Sequence, residues 1–454
     1  MRLPIFIAAA TLTLWQVPAH AEPLKIPTGS NAATSYEDWV RQGRAAFLAG
    51  DPDQAEFAYR QACAVTAGNP HPLAREITCE NLFASIDEAR GNTVRAEELY
   101  ARAVSDAERA GVAYLPVYCA RLIDLGEYYR RHGKDESAEG SLLKATALAR
   151  RLPEYGELLP EALTRLGGYY AQSPQPERGR APLTEALSLL AGNRASATPA
   201  SQIAFARGAL GMIDLVAGNF SAAEASLRQS VAIATTALGE DHPVTAGYQT
   251  NLALVLIAER QFAGAGLLLR RARYLVEKSR SPWEPQLAAI FSELSSVASG
   301  EGRPTDAEEY AQHALSLLQR QSESDPVRIA SAQVALAAIF LRRHDLSAAE
   351  AILPDTVTDQ RRMGIHAAAL ANSVQLLGDL RQQQHNWSAA EALYREAIAL
   401  RKDTGADSPA LLRSLAEAVK RRGGEKQEIR ALEARARAVS HDPKQGTQSS
   451  VVFP

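Results

Sequence analysis

Side chains able to do acid–base, nucleophilic or metal chemistry are present in this chain but do not converge. Nine His are scattered, and three stand in turns beside Pro or Asp: His71, His242 and His344. No two His share one helix face at metal-binding spacing. The three Cys (Cys63, Cys79, Cys119) lack C-x-x-C pairing, so a zinc site is not expected. No Gly-rich loop follows a strand-like run, which removes the nucleotide-binding fingerprints. Adjacent acids such as Glu97 and Glu98 read as a solvated helix face. No nucleophile, base and oxyanion donor can be assembled, so neither catalysis nor a cofactor is expected.

What the chain has instead is a period. An Ala-Glu pair opens one segment after another: Ala55-Glu56, Ala96-Glu97, Ala138-Glu139, Ala223-Glu224, Ala307-Glu308, Ala349-Glu350 and Ala390-Glu391. Gly179 and Ala265 fill the same place without the Glu. These nine anchors are 41, 42, 41, 44, 42, 42, 42 and 41 residues apart. A fixed period of that size marks a stacked repeat array. Four residues after the anchor stands a large residue such as Tyr59, Leu142, Leu227 or Tyr394, and seven after it a small one such as Ala62, Ala145 or Ala397. Those offsets share one helix face. Thirteen and twelve residues before the anchor comes a large-small pair: Leu125-Gly126, Leu166-Gly167, Leu210-Gly211, Leu252-Ala253, Leu377-Gly378. Small residues at facing positions predict two antiparallel helices in close contact. Breaks such as Gly50-Asp51, Gly91-Asn92, Gly133-Lys134 and Gly218-Asn219 predict the end of each first helix, since Gly takes the left-handed conformation there.

The pattern resembles the tetratricopeptide repeat. Trp39, Gly43, Gly50, Ala55, Tyr59 and Ala62 stand where that family places its Trp, its Gly residues, its first Ala, its aromatic and its second Ala. The longer unit is similar to the kinesin-light-chain type, most nearly in Gly239-Glu240-Asp241-His242-Pro243 followed by Thr250-Asn251-Leu252-Ala253-Leu254. The resemblance implies an all-α, right-handed superhelical solenoid of about nine to ten helical hairpins over 35–440. It also implies that first helices line a concave groove. Phe205, Met212, Leu215, Val216, Leu254 and Ile257 then face inward in units five and six. They either floor a peptide groove or fill the inter-helix core. Polar residues at corresponding places, Glu127, Arg130 and Arg131 in unit three and Asn372, Gln375, Asp379, Gln382 and Gln383 in unit nine, would fix the ends of an extended ligand or form a solvated face. Asn251 is the one position that the resemblance marks for gripping a ligand's backbone, because an amide both donates and accepts.

Several features are expected to depart from the regular unit. Ser173-Pro174-Gln175-Pro176 makes a looser break, 196–200 is an extra loop, and Pro354 should end or kink its helix. The tenth unit, from Pro409, carries Glu and Arg where others are apolar, as a terminal cap requires.

Formal net charge is -3 over 454 residues, which gives no case for nucleic acid or an anionic membrane as partner. Residues 1–21 hold one charge, Arg2, an apolar stretch from Leu3 to Val17 and a small-x-small site at Ala19-His20-Ala21. This reads as a secretory leader cut before Glu22, leaving a periplasmic or secreted chain with no membrane span. Residues 22–34 and 441–454 read as disordered. Cys63 and Cys79 lie seven residues before and nine after Pro70, in a predicted turn between antiparallel helices. A Cys63–Cys79 bridge is allowed; three buried free thiols are the alternative. The sequence thus points to a binding protein for another protein or a peptide. The other readings are an envelope scaffold using the convex face, and a small-ligand sensor or enzyme accessory.

Overall fold

The computed structural model describes residues 35–48, 51–65, 72–192, 199–278, 284–320, 326–364, 367–401 and 408–441. The expected leader, the lead to Thr34, the tail beyond His441 and most of the extra loop lie outside them. Within them are twenty α-helices and no strand. They pair into ten antiparallel hairpins. The first four are α1 (Tyr36–Leu48) with α2 (Pro52–Ala64), α3 (Pro72–Ala89) with α4 (Thr93–Arg109), α5 (Leu115–Arg131) with α6 (Asp135–Ala149), and α7 (Leu158–Gln172) with α8 (Arg180–Gly192). The next three are α9 (Pro199–Val216) with α10 (Phe220–Leu238), α11 (Pro243–Ala258) with α12 (Phe262–Lys278), and α13 (Glu284–Gly300) with α14 (Pro304–Arg320). The last three are α15 (Pro326–Arg342) with α16 (Leu346–Met363), α17 (Ala367–Gln383) with α18 (Trp387–Leu400), and α19 (Pro409–Arg422) with α20 (Lys426–His441).

Most hairpins close on the predicted small-large contact. A Cβ built on Gly378 would lie 2.6 Å from the Tyr394 ring; on Gly126, 2.8 Å from Leu142; on Gly211, 2.6 Å from Leu227. The position twelve before the anchor therefore meets the position four after it, and only a missing side chain permits the approach. Ala55, Ala96, Ala138, Ala223, Ala265, Ala307, Ala349 and Ala390 are all 0% exposed, so the anchors sit at the seam between layers.

The inter-helix turn repeats as faithfully. Gly91, Gly133, Gly218 and Gly302 all have positive φ, five residues before their anchors. The N–H of the next residue returns to a carbonyl five back, as in Asn92 to Asp87 at 2.8 Å and Arg303 to Ala298 at 2.8 Å, closing the helix C-terminus. Units six, eight and nine hold Arg260, His344 and His385 in the same left-handed conformation. Unit four has Pro174 at that place, whose ring locks φ negative. It uses a 3-10 turn instead, Pro176–Gly179, before α8.

One expectation changes. Pro354 neither ends nor interrupts α16, which continues nine residues past it to Met363. Leu353, Thr356, Val357 and Gln360 are buried around and beyond the Pro, and this packing holds the second half in helical register. Trp39 is half-buried, edge-to-face with Phe57 at 6.1 Å. The final helix fits a cap: Ala436 is buried, Ile429 and Leu432 pack partly, and most of the remaining surface meets water.

Cys63 and Cys79 form a disulfide between α2 and α3, with Cα atoms 6.1 Å apart, stapling the first two hairpins. Cys119 is a buried free thiol. Reduction should lower stability by about 3 kcal/mol, the loop-closure value for a ring of this size. Guanidinium unfolding of a Cys119→Ser background with and without dithiothreitol measures it. In the same assay Gly378→Leu should cost about 3 kcal/mol, the upper end for overpacking, because Tyr394 cannot retreat. Gly140→Leu, with no neighbour within 4 Å of its Cβ, should change little.

Candidate functional site

The inner wall follows from which helices crowd. First helices pack side by side along the array: α3 on α5, α5 on α7, α7 on α9, α9 on α11, α11 on α13, α15 on α17 and α17 on α19. Second helices show no comparable contact with each other among the described residues. The crowded layer is the inside of the curve. Within a first helix, the residue twelve before the anchor faces its own second helix. The residue fourteen before it is two positions away, about 200° around the axis, and so points to the inside. This inward row reads Leu82, Asp124, Arg165, Ala209, Asn251, Glu293, Ala335 and Leu376.

The apolar groove floor expected in units five and six is not accessible. Met212 is 2% exposed, and Leu215, Leu254 and Ile257 are 0%. They fill the core between neighbouring helices, because these first helices approach too closely to leave their flanks open. Phe205 is buried beside them, and the Arg165 guanidinium stacks over its ring at 5.5 Å. Val216 is half-buried at the end of α9.

The polar groups expected to fix ligand ends are held by the chain itself. Arg131 makes a two-pronged pair with Glu88, both bonds 2.7 Å. Burial alone would raise the Glu88 carboxyl, but Arg131 and His132 hold it down at about 2. Arg130 donates to Glu127 at 3.2 Å and to Gln172 at 3.0 Å. In unit nine, Arg401 donates to Asn372 and to Gln375, the latter at 3.1 Å. The Tyr394 hydroxyl bridges Asp379 at 2.8 Å and Gln382 at 2.9 Å, and His344 contacts Gln383 at 3.0 Å. Burial pushes the Asp379 carboxyl up to about 6 despite that hydroxyl. These are inter-helix ties.

Asn251 stands apart. It is 1% exposed, and neither amide atom, Nδ2 nor Oδ1, has a hydrogen-bond partner among the described residues. Buried amides are almost always paired, and an unpaired one costs about 1–3 kcal/mol. One helix further, Glu293 repeats the anomaly: 1% exposed, Oε2 unpartnered, its carboxyl pushed up to about 8 by burial alone. Gln286, two turns earlier on the same face of α13, has an unpartnered Nε2. Toward the other end, Arg121 pairs through one nitrogen with Asp124 at 3.0 Å, while its Nε and Nη1 are buried without partners. Glu161 on α7 has its carboxyl raised by burial, against the nearby charges of Arg165, Arg121 and Arg44.

The sequence reading did not single out Glu293, Gln286 or Arg121. A signal for Glu293 was there: an acid at an inward position with no Lys or Arg three or four residues away on its helix.

Elsewhere, a shallow recess of about 720 Å³ is lined by Glu177, Arg180, Ala181, Thr184, Glu185 and Ser188 on the outer layer. Its Arg180 is already tied to Glu177 and Asp214. Among the described residues no group of three His, Cys, Asp or Glu could hold a metal ion, and no helix is long and apolar enough to cross a membrane.

Hairpins of this size, packed small against large with an inner layer of first helices, define a helical-repeat solenoid. Residues 206–244 match the family model described as Tetratricopeptide repeat. The chain therefore carries this repeat within a helical-repeat solenoid, a fold typical of protein–protein interaction. No curated protein matches it. Among solved structures, the apo form of RapI superposes with TM-score 0.52 at 15% identity, covering 82% of this chain and 98% of that one. The apo form of the quorum sensor NprR from B. thuringiensis gives 0.49 at 13%, covering 69% and 83%. A putative kinesin light chain with nearly identical TPR-like repeats from Podosopora anserina gives 0.38 at 22%, covering 46% and 97%. Neither the family match nor these structures indicate an enzyme family.

The raised Glu293 carboxyl sets a pH dependence. Between about 4.3, its unfolded value, and about 8, the folded chain holds a proton that the unfolded chain has lost, so stability falls as pH rises. Glu293→Gln should therefore be close to wild type in melting temperature at pH 5 and clearly more stable at pH 8. Parallel thermal curves across that range would remove Glu293 as an unpaired buried acid.

Proposed function

We propose that this protein is an exported receptor or chaperone-like binder that grips an extended segment of another protein along its inner wall. The observation that carries this is Asn251: an amide on the inside of the curve, buried, with donor and acceptor both unmet. A peptide bond offers the complementary acceptor and donor, and an extended segment would meet it once the side chains that cover it move aside. The apolar residues beside it are core, so recognition rests on polar groups of the inward row.

Export is supported by the leader pattern of residues 1–21 and by the Cys63–Cys79 bridge, since structural disulfides persist in oxidising compartments. A second reading, a scaffold working through its outer layer, draws on α12. There Leu267 and Tyr274 are 66% and 48% exposed, seven residues apart on one face, with Arg271 between them over the Tyr274 ring.

An array of acetylated, amidated heptapeptides of varied sequence tests the binding mode. The mature chain should retain a subset, and Asn251→Ala should weaken capture about tenfold or more while leaving melting temperature equal or higher. Retention of no heptapeptide, or equal capture by the variant, ends this reading; loss of native partners on Leu267→Asp with Tyr274→Asp instead favours the outer layer. Fractionation of the native host should find the chain outside the cytoplasm, starting at Glu22.

A further inference from the structure

We propose that Glu293 on α13, one helix step from Asn251, seats a basic side chain of the bound peptide, so that the ligand is an extended segment carrying Arg or Lys. The inference deepens the binding mode above and rests on it. Glu293 and Asn251 occupy the same place in successive units, fourteen residues before Ala307 and Ala265. That place points inward. Two residues on, Ser295 faces the other way and donates to the Ala307 carbonyl at 2.7 Å, which fixes the rotation of α13. The carboxyl is 1% exposed and its Oε2 has no partner.

Among the described residues no cation answers it. Burial raises its carboxyl with no Arg, Lys or His of the described residues opposing it, whereas Glu88, Glu127 and Glu161 all feel Arg residues. A dry carboxyl on the inside of a binding protein, kept protonated for want of a counter-charge, is complementary to a cation supplied from outside, whose arrival would let it ionise. Gln286, on the same face two turns away, adds an unmet buried amide nitrogen able to donate to a ligand carbonyl. The flanking members of the row, Ala209 and Ala335, bring no charge or hydrogen-bonding side chain to the pair.

Spacing sharpens the ligand. Packed helices stand about 8–10 Å apart, and an extended chain advances about 3.3 Å per residue. A peptide held at one bond by Asn251 reaches Glu293 about three residues later, and the basic residue belongs there.

The test uses the heptapeptides retained on the array, all with blocked termini so that a side chain is the only cation. Each retained sequence containing Arg is remade with citrulline, which keeps shape and hydrogen-bonding atoms but removes the charge. By titration calorimetry the Arg form should bind wild type on the order of tenfold or more tighter than the citrulline form. Glu293→Gln should bind both alike. Equal affinity of wild type for Arg and citrulline peptides overturns the cation seat while leaving peptide binding intact, as does a retained set without Arg or Lys. A preference for charge that survives in Glu293→Gln places the counter-charge elsewhere and overturns it too. The ligand-side swap needs no variant and so does not depend on how Glu293→Gln folds.

Discussion

The contact between a residue with almost no side chain and a large one across each hairpin governs this molecule. Gly378 under Tyr394, Gly126 under Leu142 and Gly211 under Leu227 let paired helices close to the lower limit of helix packing. With the pair that thin, each hairpin presents two flat flanks, and the next hairpin stacks on one of them. Repetition of one angle then bends the stack, crowding first helices together and spreading second helices apart. The inner wall and its buried polar row are consequences of that close approach, with no separate device needed to build a groove.

A second, weaker set of contacts holds register between units. In six of the seven Ala-Glu pairs the Glu reaches a cation of the following hairpin: Glu56 to Arg90 at 2.6 Å, Glu139 to Arg178 at 2.7 Å, Glu350 to Arg381 at 2.6 Å, Glu391 to Arg422 at 2.6 Å, with Glu97–Lys134 and Glu308–Arg343 alike, while Glu224 pairs with Arg228 on its own helix. Each such surface pair contributes at most about 1 kcal/mol and is screened by salt. Repeated along the convex side, they select the correct neighbour and orientation more than they add stability. Unit six has Ala265-Gly266 at this place and lacks the rung, so its junction with α13 depends on apolar packing by Leu269, Ile290 and Leu294.

Much of this was legible in the sequence, because period and small-large pairing are one-dimensional signals. The anchors mark nine of the ten hairpins, the positive-φ glycines mark the turns, and the spacing of Cys63 and Cys79 allows their bridge. Other features depend on how far neighbours lean over each other, and no spacing within one unit reports that. Leu254 and Ile257 share the inward helix yet vanish into the core. Arg131, Asn372 and Asp379 looked free because their partners, Glu88, Arg401 and Tyr394, lie about 15 to 43 residues away on other helices. Pro354 broke a local rule that the packing on either side of it overrode. Glu293 was overlooked for the opposite reason: what distinguishes it is a missing neighbour, and absence has no motif.

Unit four, with Pro174 where its siblings turn through a left-handed residue, has a further effect. Its helix α7 presses on both α5 and α9, whereas among the described residues α13 and α15 touch far less. The inner wall is therefore unevenly braced along its length, and its driest acid among the described residues, Glu293, lies beside a gap in that bracing.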